Sequence, residues 1–184
     1  MSKNLVILVE TALFAALAMA LSFIPDFASW FTPSFGAIPL VLFSLRRGTK
    51  YGLLAGLLWG LLHFVLAKVY YLSLSQVFIE YVLAFASMGL AGVMSPYLKK
   101  ALKKDEIGRS LAYASLGAAF AVGLRYFWHY VAGFIFWGSY APKGMSPFWY
   151  SFTVNGSAGI LTFFAVLLVF LVLIPKQKQF FLAD

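Results

Sequence analysis

Long apolar segments dominate this sequence and limit the possible folds more than any other feature. Four of them, residues 5–24, 50–68, 74–97 and 150–174, reach about 20 residues, the length at which a helix crosses a bilayer. The chain is 62% hydrophobic and 11% charged, with a mean hydropathy of +0.89. A soluble domain carries roughly 25% charged residues, so this chain has too little polar surface to cover one. The sequence predicts an all-α integral membrane protein.

Two further segments complete the predicted topology. The apolar stretch 109–137 is longer than a single crossing needs, whereas 34–46 is short and interrupted by Pro39. Lys and Arg collect in cytoplasmic loops. If 34–46 spans the bilayer, one side holds most of the 14 basic residues, namely Lys3, Arg46, Arg47, Lys50, Lys99, Lys100, Lys103, Lys104, Arg109, Lys176 and Lys178. We therefore expect a single membrane domain over 1–184, with six transmembrane helices and cytoplasmic N and C termini.

Several functional classes are disfavoured by what the sequence omits. It contains no Cys, so disulfides, thiolate metal sites and a Cys nucleophile are excluded. The two His and six carboxylates show no metal-ligand spacing. The Walker A, GxSxG and HExxH motifs are absent, so we expect neither ATP hydrolysis by this chain nor any other enzymatic activity. The net charge of +8 follows the topology and does not indicate nucleic-acid binding.

Polar residues recur on one face of the segment RYFWHYVAGFIFW (125–137). Arg125, His129, Gly133 and Trp137 are spaced four apart, so they share a broad helical face. Ionisable groups at membrane depth are costly and usually line a cavity or pathway. A second such group, Glu80, lies in SLSQVFIEYVLAF. Together these residues predict a polar, aromatic-walled pocket inside a helical bundle.

Each of these residues also has an ordinary structural interpretation. Glu80 could form a structural ion pair with Arg125, and His129 could be a packing histidine. Tryptophans belong at membrane interfaces, and Asn155 could hydrogen-bond between helices. In the six-span arrangement, however, the helical candidates all lie in the outer half of their helices; they are Glu80, Tyr81, His129, Trp137, Tyr150 and Asn155. Trp30 lies in the first outer loop. A carboxylate among aromatic faces suits a flat, heteroaromatic cation, because stacking contributes about 0.5–2 kcal/mol per face.

Two rows of small residues predict close helix contacts. They are Ala12, Ala16 and Ala20 in the first segment, and Gly52, Gly56 and Gly60 in the third. Small residues four apart let another helix approach closely. We expect the glycine row to pack within this chain. The alanine row could pack within the chain or face a different subunit.

Five motifs carry a resemblance to a known family. They are SLRRG (44–48), SLSQVFIEY (73–81), RYFWHYVAGFIFW (125–137), SYAPKG (139–144) and YSFTVNG (150–156). In this order and spacing, the chain resembles the thiamine-specific S components (ThiT type) of bacterial energy-coupling factor transporters over essentially its whole length. The resemblance implies six helices that enclose thiamine near the outer face, beneath a lid formed by the first outer loop.

The resemblance also implies roles for individual residues. Glu80 would face the cationic ligand, while Trp137 and His129 would pack against its rings. Tyr150 and Asn155 would complete the pyrimidine end. Tyr81 would bond polar groups, Trp30 would close the site from the loop, and Gly133 lies on the same face as His129. Arg125 stands where relatives can carry Lys, so it could contact the ligand or pair with Glu80.

The remaining implications concern partners and location. Ala12, Ala16 and Ala20 would dock a transmembrane coupling subunit, and two ATPase subunits would complete an ATP-driven uptake system in the bacterial cell membrane. Thiamine would be the ligand, with no cofactor, no metal and no nucleic-acid partner; membrane lipid surrounds the chain. The alternative is an autonomous carrier or channel for another small organic cation, using Glu80, Arg125 and His129 as a polar path.

Overall fold

The computed structural model describes residues 2–24 and 32–182, and these ranges contain helices and connecting segments but no strand. The elements are α1 (Lys3–Leu21), α2 (Ala37–Arg47), α3 (Thr49–Val65), α4 (Leu74–Lys103), α5 (Ile107–Phe136), α6 (Pro147–Lys176) and α7 (Lys178–Leu182), with a 3₁₀ turn at Gly138–Tyr140. The predicted all-α fold is confirmed.

Helix length separates the elements into two groups. Helices α1, α4, α5 and α6 are long and apolar enough to cross a membrane, and α3 is apolar but shorter. Helix α2 has only 11 residues, which rise about 16 Å against a hydrocarbon thickness of about 30 Å. The predicted sixth span, 34–46, thus corresponds to a helix too short to cross alone.

Helix α2 is short because it lies inside the bundle. Its side chains Leu40, Val41, Phe43 and Leu45 are fully buried, so the helix contacts protein rather than lipid and need not match the bilayer thickness. Its predicted crossing of the membrane remains a prediction.

Contacts at the two ends of α2 set its direction. Near its start, Gly36 packs against the end of α1 at Ser22. Near its end, Arg46 and Arg47 form ion pairs of 2.8 and 2.6 Å with Glu10 of α1. Arg46 also donates to the carbonyl of Phe180 near the C terminus. Helix α2 therefore runs antiparallel to α1, and its end lies with the first half of α1 and with α7 at one end of the molecule, here called the basic end.

The glycine row of α3 brings α3 and α4 into close contact. A Cβ added at Gly56 would meet the carbonyl of Phe85, and one added at Gly60 would meet the carbonyl of Tyr81. Such proximity of two helices requires the absence of side chains. The expectation that this row packs within the chain is confirmed. The contact matters for function because Tyr81 and Phe85 belong to the cavity described below.

Helix α4 continues beyond the boundary predicted at residue 97. Its last section, Ser95–Lys103, buries Leu98 and Leu102, while Lys100 and Lys103 face outward. This amphipathic pattern keeps the helix intact after the apolar segment ends. The predicted segment 74–97 is a membrane span, which a longer helix can contain, so its bounds remain a prediction.

Candidate functional site

A cavity of about 580 Å³ lies between α3, α4, α5 and α6, within the range of about 300–1,000 Å³ that is common for small-molecule sites. It reaches the end of the molecule opposite the basic end, where Tyr70, Trp137 and Tyr140 cluster; we call this the aromatic end. Most of the residues predicted from the sequence line the cavity: Glu80, Tyr81, His129, Gly133, Trp137, Tyr150 and Asn155. Their role in ligand binding remains a prediction.

A local irregularity in α4 orients two of these side chains. Residues Phe78–Leu83 form a π-helical turn, which contains one more residue per turn than an α-helix and often marks a functional site. The wider turn reduces the angle between successive side chains. Glu80 and Tyr81 are adjacent in sequence, yet both line the cavity.

The Glu80 carboxylate is held by two neutral donors. The indole Nε1 of Trp137 donates to Oε1 over 2.9 Å, and Gln76 Nε2 donates to Oε2. Gln76 is fully buried and also donates to the carbonyl of Tyr70 over 3.1 Å. The carboxylate is therefore fixed in place while its negative charge is left without compensation by these two partners. Such a site favours a cation.

Tyr81 presents a hydroxyl proton to the cavity. The backbone N–H of Tyr70 donates to the Tyr81 hydroxyl oxygen over 3.0 Å, so that oxygen is an acceptor in this contact. Its own proton is left for another partner. The Tyr81 ring stacks on Phe85 with centroids 5.8 Å apart and an interplanar angle of 14°. Tyr81 thus combines an apolar wall with one polar group.

Trp137 forms the wall at the aromatic end. It follows the last residue of α5, and its ring makes an edge contact with Tyr70 at 6.0 Å and a tilted contact with Tyr140 at 5.8 Å. An aromatic enclosure next to a carboxylate stabilises a cation through both ring quadrupoles and charge. The predicted pairing of Glu80 and Trp137 in one pocket is confirmed as geometry.

Helices α5 and α6 supply the opposite wall through a close contact at Gly133. A Cβ at this position would meet Ser151 Oγ and come within 3.1 Å of Asn155 Nδ2. Asn155 Nδ2 donates to the Ser151 carbonyl over 3.1 Å and to its hydroxyl over 3.2 Å. The amide nitrogen thus bonds to Ser151, and Asn155 Oδ1 remains as an acceptor at the cavity.

Arg125 does not line the cavity, contrary to its predicted place on the polar face. Its side chain is buried, with 6% exposed, and the guanidinium carbon lies 4.5 Å from the ring centroids of both Trp59 and Phe85. Arg125 lies one helical turn before His129 on α5 and therefore farther from Trp137 at the end of that helix. Its Nε donates to His129 Nε2 over a long 3.4 Å.

The suggested ion pair between Arg125 and Glu80 is also wrong within the described residues. Glu80 is bonded to Trp137 and Gln76 instead, and Nη1 of Arg125 is buried without a hydrogen-bond partner in residues 2–24 and 32–182. Cation–π contacts, rather than a carboxylate, accompany the guanidinium here.

Six lining residues were not selected from the sequence: His63, Tyr70, Phe85, Tyr140, Ser151 and Val154. His63 lies among apolar residues in the sequence LLHFV, so no local pattern marks it. Its place in the cavity wall comes from packing against the Tyr81 and Phe85 rings of α4, which are distant in sequence. Ser151 had a usable signal, since it shares a helical face with Asn155 at a spacing of four.

Two predicted features lie elsewhere. Trp30 falls outside the described residues. Ala12, Ala16 and Ala20 are exposed on α1, whereas the neighbouring Ala15 and Ala18 are buried. The alanine row thus has no packing partner within the described part of the chain.

For residues 2–24 and 32–182, no group of three or more His, Cys, Asp or Glu side chains could hold a metal ion.

The family model described as thiamine transporter protein matches residues 8–182. The chain belongs to the thiamine transporter family. Thiamine transporter ThiT of Lacticaseibacillus paracasei is 36% identical over 186 residues, which cover 98% of this chain and 92% of that protein. Thiamine transporter ThiT of Bacillus subtilis is 33% identical, covering 100% and 97%.

The structural comparison identifies the same family as the sequence comparisons. A solved structure of ThiT from Listeria monocytogenes superposes with a TM-score of 0.93 at 40% identity, covering 98% of this chain and 99% of that one. The family and the four long apolar helices together make this a multi-pass protein of the bacterial cell membrane. Its family is one of transporters, with thiamine as the transported ligand.

Proposed function

We propose that this protein is the substrate-binding subunit of a thiamine uptake system and that it holds thiamine in the cavity between α3, α4, α5 and α6. One observation carries the proposal: the Glu80 carboxylate lies 2.9 Å from the Trp137 indole nitrogen at one end of an aromatic-walled cavity. Thiamine joins a permanently positive thiazolium ring to an aminopyrimidine. The carboxylate and the aromatic rings suit the first of these rings.

The two ends of the cavity differ in their side chains, and this difference sets the orientation in which thiamine binds. Glu80 and Trp137 lie at the aromatic end and take the thiazolium cation by charge and stacking. Asn155 and Tyr150 take the aminopyrimidine, with Asn155 Oδ1 as an acceptor for its amino group. His129 packs against the rings, Tyr81 donates its hydroxyl proton, and Gly133 allows the α5–α6 approach that holds Asn155.

The orientation in the membrane follows from charge. The basic end carries Arg46 and Arg47 beside Glu10, and Lys178 pairs with Asp105 there. By the positive-inside rule this end is cytoplasmic, so the N and C termini are cytoplasmic and the cavity is near the outer face. The chain crosses the membrane six times, with the segment around α2 counted as one crossing.

The protein works with an energy-coupling partner. The sequence carries no nucleotide-binding motif, so energy must come from other chains. Ala12, Ala16 and Ala20 form an exposed row on α1, and small residues at this spacing permit close helix contact. This row docks a transmembrane coupling subunit, to which two ATPase subunits of an energy-coupling factor module attach.

Calorimetric titration of the purified protein with thiamine tests the binding role. We expect one saturable site, and no comparable binding of tetramethylammonium, a cation without rings. Absence of thiamine binding would refute the proposal.

Liposomes test the coupling role. Vesicles that contain this chain alone should not accumulate thiamine, whereas addition of the coupling subunit and ATPases with ATP should start accumulation. Uptake by this chain alone would support the autonomous carrier instead.

A further inference from the structure

We propose that the last turns of α4 bind the headgroups of anionic phospholipids through three lysines, Lys100, Lys103 and Lys104, which we call the lysine face. These turns lie at the basic end of the molecule, away from the cavity at the aromatic end. The inference goes beyond the proposed function, because it concerns the contact between the protein and its bilayer and makes no assumption about the transported ligand.

One side of α4 changes from apolar to basic as the helix leaves the apolar segment. Its exposed residues follow one another at spacings of four, three and four positions: Val93, Tyr97, Lys100 and Lys104. These spacings place them on one side of a helix. The other side of this section is buried against the bundle. The exposed side therefore presents an aliphatic side chain, then an aromatic ring, and then cations.

The neighbouring helix α5 has the same order of side chains. The rings of Tyr97 and Tyr113 lie 5.7 Å apart, so the two helices are aligned at this level. Beyond Tyr113, toward the aromatic end, α5 exposes Leu116 and Phe120. Tyrosine favours the boundary between hydrocarbon and headgroups. The tyrosine pair therefore marks this boundary, with lipid tails on the side of Leu116 and Phe120.

The distance from this boundary places the lysine face among headgroups. A helix rises about 1.5 Å per residue, so the three lysines lie about 5–11 Å beyond Tyr97 along the axis. The polar layer on each side of a bilayer is roughly 5–8 Å thick. Lysine side chains are also long enough to move their ammonium groups toward the polar layer. The lysine face is thus at the level of the lipid phosphates.

The lysine face has no carboxylate partner in the described chain. The two carboxylates that directly follow α4 are engaged elsewhere: Asp105 binds Lys178, and Glu106 lies 3.1 Å from Arg109. Within residues 2–24 and 32–182, no ion pair involves any of the three lysines. Their positive charge is therefore available to an external anion.

The arginines at the end of α2 show the contrast. Arg46 and Arg47 form ion pairs of 2.8 and 2.6 Å with Glu10, so a headgroup would have to displace a carboxylate there. At the lysine face, a lipid phosphate supplies the missing negative charge, and its acyl chains contact the apolar side chains next to it. A soluble protein partner would satisfy only the charge. The surface therefore fits an anionic lipid.

Thermal unfolding in detergent, during titration with phosphatidylglycerol, tests the proposal. A ligand that binds the folded state stabilises it, so phosphatidylglycerol should raise the unfolding temperature more than zwitterionic phosphatidylcholine does. Each lysine near an anionic surface contributes about fivefold in affinity. The triple variant Lys100→Gln, Lys103→Gln, Lys104→Gln should therefore need at least about tenfold more phosphatidylglycerol for its half-maximal shift.

Two further variants and one soluble probe serve as controls. The triple Lys→Arg variant at the same positions keeps the charge and should respond as the wild-type protein does. Lys143→Gln removes an exposed lysine at the aromatic end and should have no effect. Glycerol phosphate, which has the charged group without acyl chains, should produce no comparable shift.

The outcomes separate a lipid surface from the alternatives. An equal phosphatidylglycerol response in the wild-type and triple Gln proteins would overturn the proposal, and so would an equal response to glycerol phosphate. A triple Gln protein that keeps its lipid response but no longer co-purifies with the coupling subunit would assign the surface to a protein partner instead. Thiamine affinity should be the same in all variants, and failure of the wild-type protein to bind thiamine would overturn the proposed function alone.

Discussion

The charge of the cavity depends on Glu80, whose side chain contributes the carboxylate among the described lining residues. Two neutral donors, Trp137 and Gln76, hold it in position without cancelling its charge. A cationic ligand that excludes water would complete the pair. Removal of one member of a buried charge pair typically costs about 2–5 kcal/mol.

Replacement of Glu80 by Gln should weaken thiamine binding by roughly 30-fold or more, given that each 1.4 kcal/mol is a factor of ten. The amide is nearly isosteric and can still accept from the Trp137 indole, so the fold should persist. Quenching of tryptophan fluorescence during titration gives the affinity.

Glu106→Gln is the matched control for this prediction. Glu106 pairs with the exposed Arg109 far from the cavity, so the same chemical change there should leave thiamine affinity unaltered. Unchanged affinity in Glu80→Gln would reject the assigned role of Glu80.

The contact between α3 and α4 decides the shape of one cavity wall. Gly60 faces the backbone of Tyr81 and the Cβ of Phe85, next to the π-helical turn Phe78–Leu83. A backbone neighbour cannot rotate away as a side chain can. Any added atom on this face must therefore displace α4, and with it Tyr81 and Phe85.

We expect Gly60→Ala to lower both thermal stability and thiamine affinity. Overpacking of this kind typically costs about 1–3 kcal/mol. Thermal unfolding in detergent and thiamine titration measure the two effects.

Gly123→Ala makes the same change within α5, where nothing lies within 4 Å of the added carbon. Because Ala has a higher helix propensity than Gly, this control should be neutral or slightly stabilising. A Gly60→Ala protein that is as stable as Gly123→Ala would show that α3 and α4 do not meet as closely as described.

Across the complete molecule, the binding cavity and the exposed alanine row occupy different surfaces. The cavity lies between α3, α4, α5 and α6, while Ala12, Ala16 and Ala20 face away from the bundle on α1. Ligand capture and subunit docking can therefore be disrupted independently.

Ala16→Trp should abolish co-purification with the coupling subunit and leave thiamine affinity unchanged. The large ring prevents close helix approach at this face but does not reach the cavity. Affinity purification of the co-expressed complex, followed by thiamine titration of the free variant, measures both properties.

Leu168→Trp serves as the control, since Leu168 is 67% exposed on α6 and is outside the proposed docking face. Its complex should assemble normally. Assembly of an Ala16→Trp complex would place the docking surface elsewhere.

Much of the site could be predicted because its residues lie on few helices. His129, Gly133 and Trp137 recur every fourth position on α5, so helical geometry alone places them on one face. Arg125 continues that spacing, but its guanidinium packs on the Phe85 ring and does not line the cavity. His63 and Phe85 gave no signal, because their partners come from other helices.

The sequence by itself determined that this chain is a helical membrane protein with a carboxylate and aromatic rings near one end of its apolar helices. Hydropathy is a local property that sums along the chain, so it can be evaluated without knowledge of the fold. The tertiary structure decided which faces meet: the buried position of α2, the α3–α4 approach at Gly60, and the stacking of Arg125 on aromatic rings. These contacts join residues that are distant in sequence, and they depend on which helices pack together.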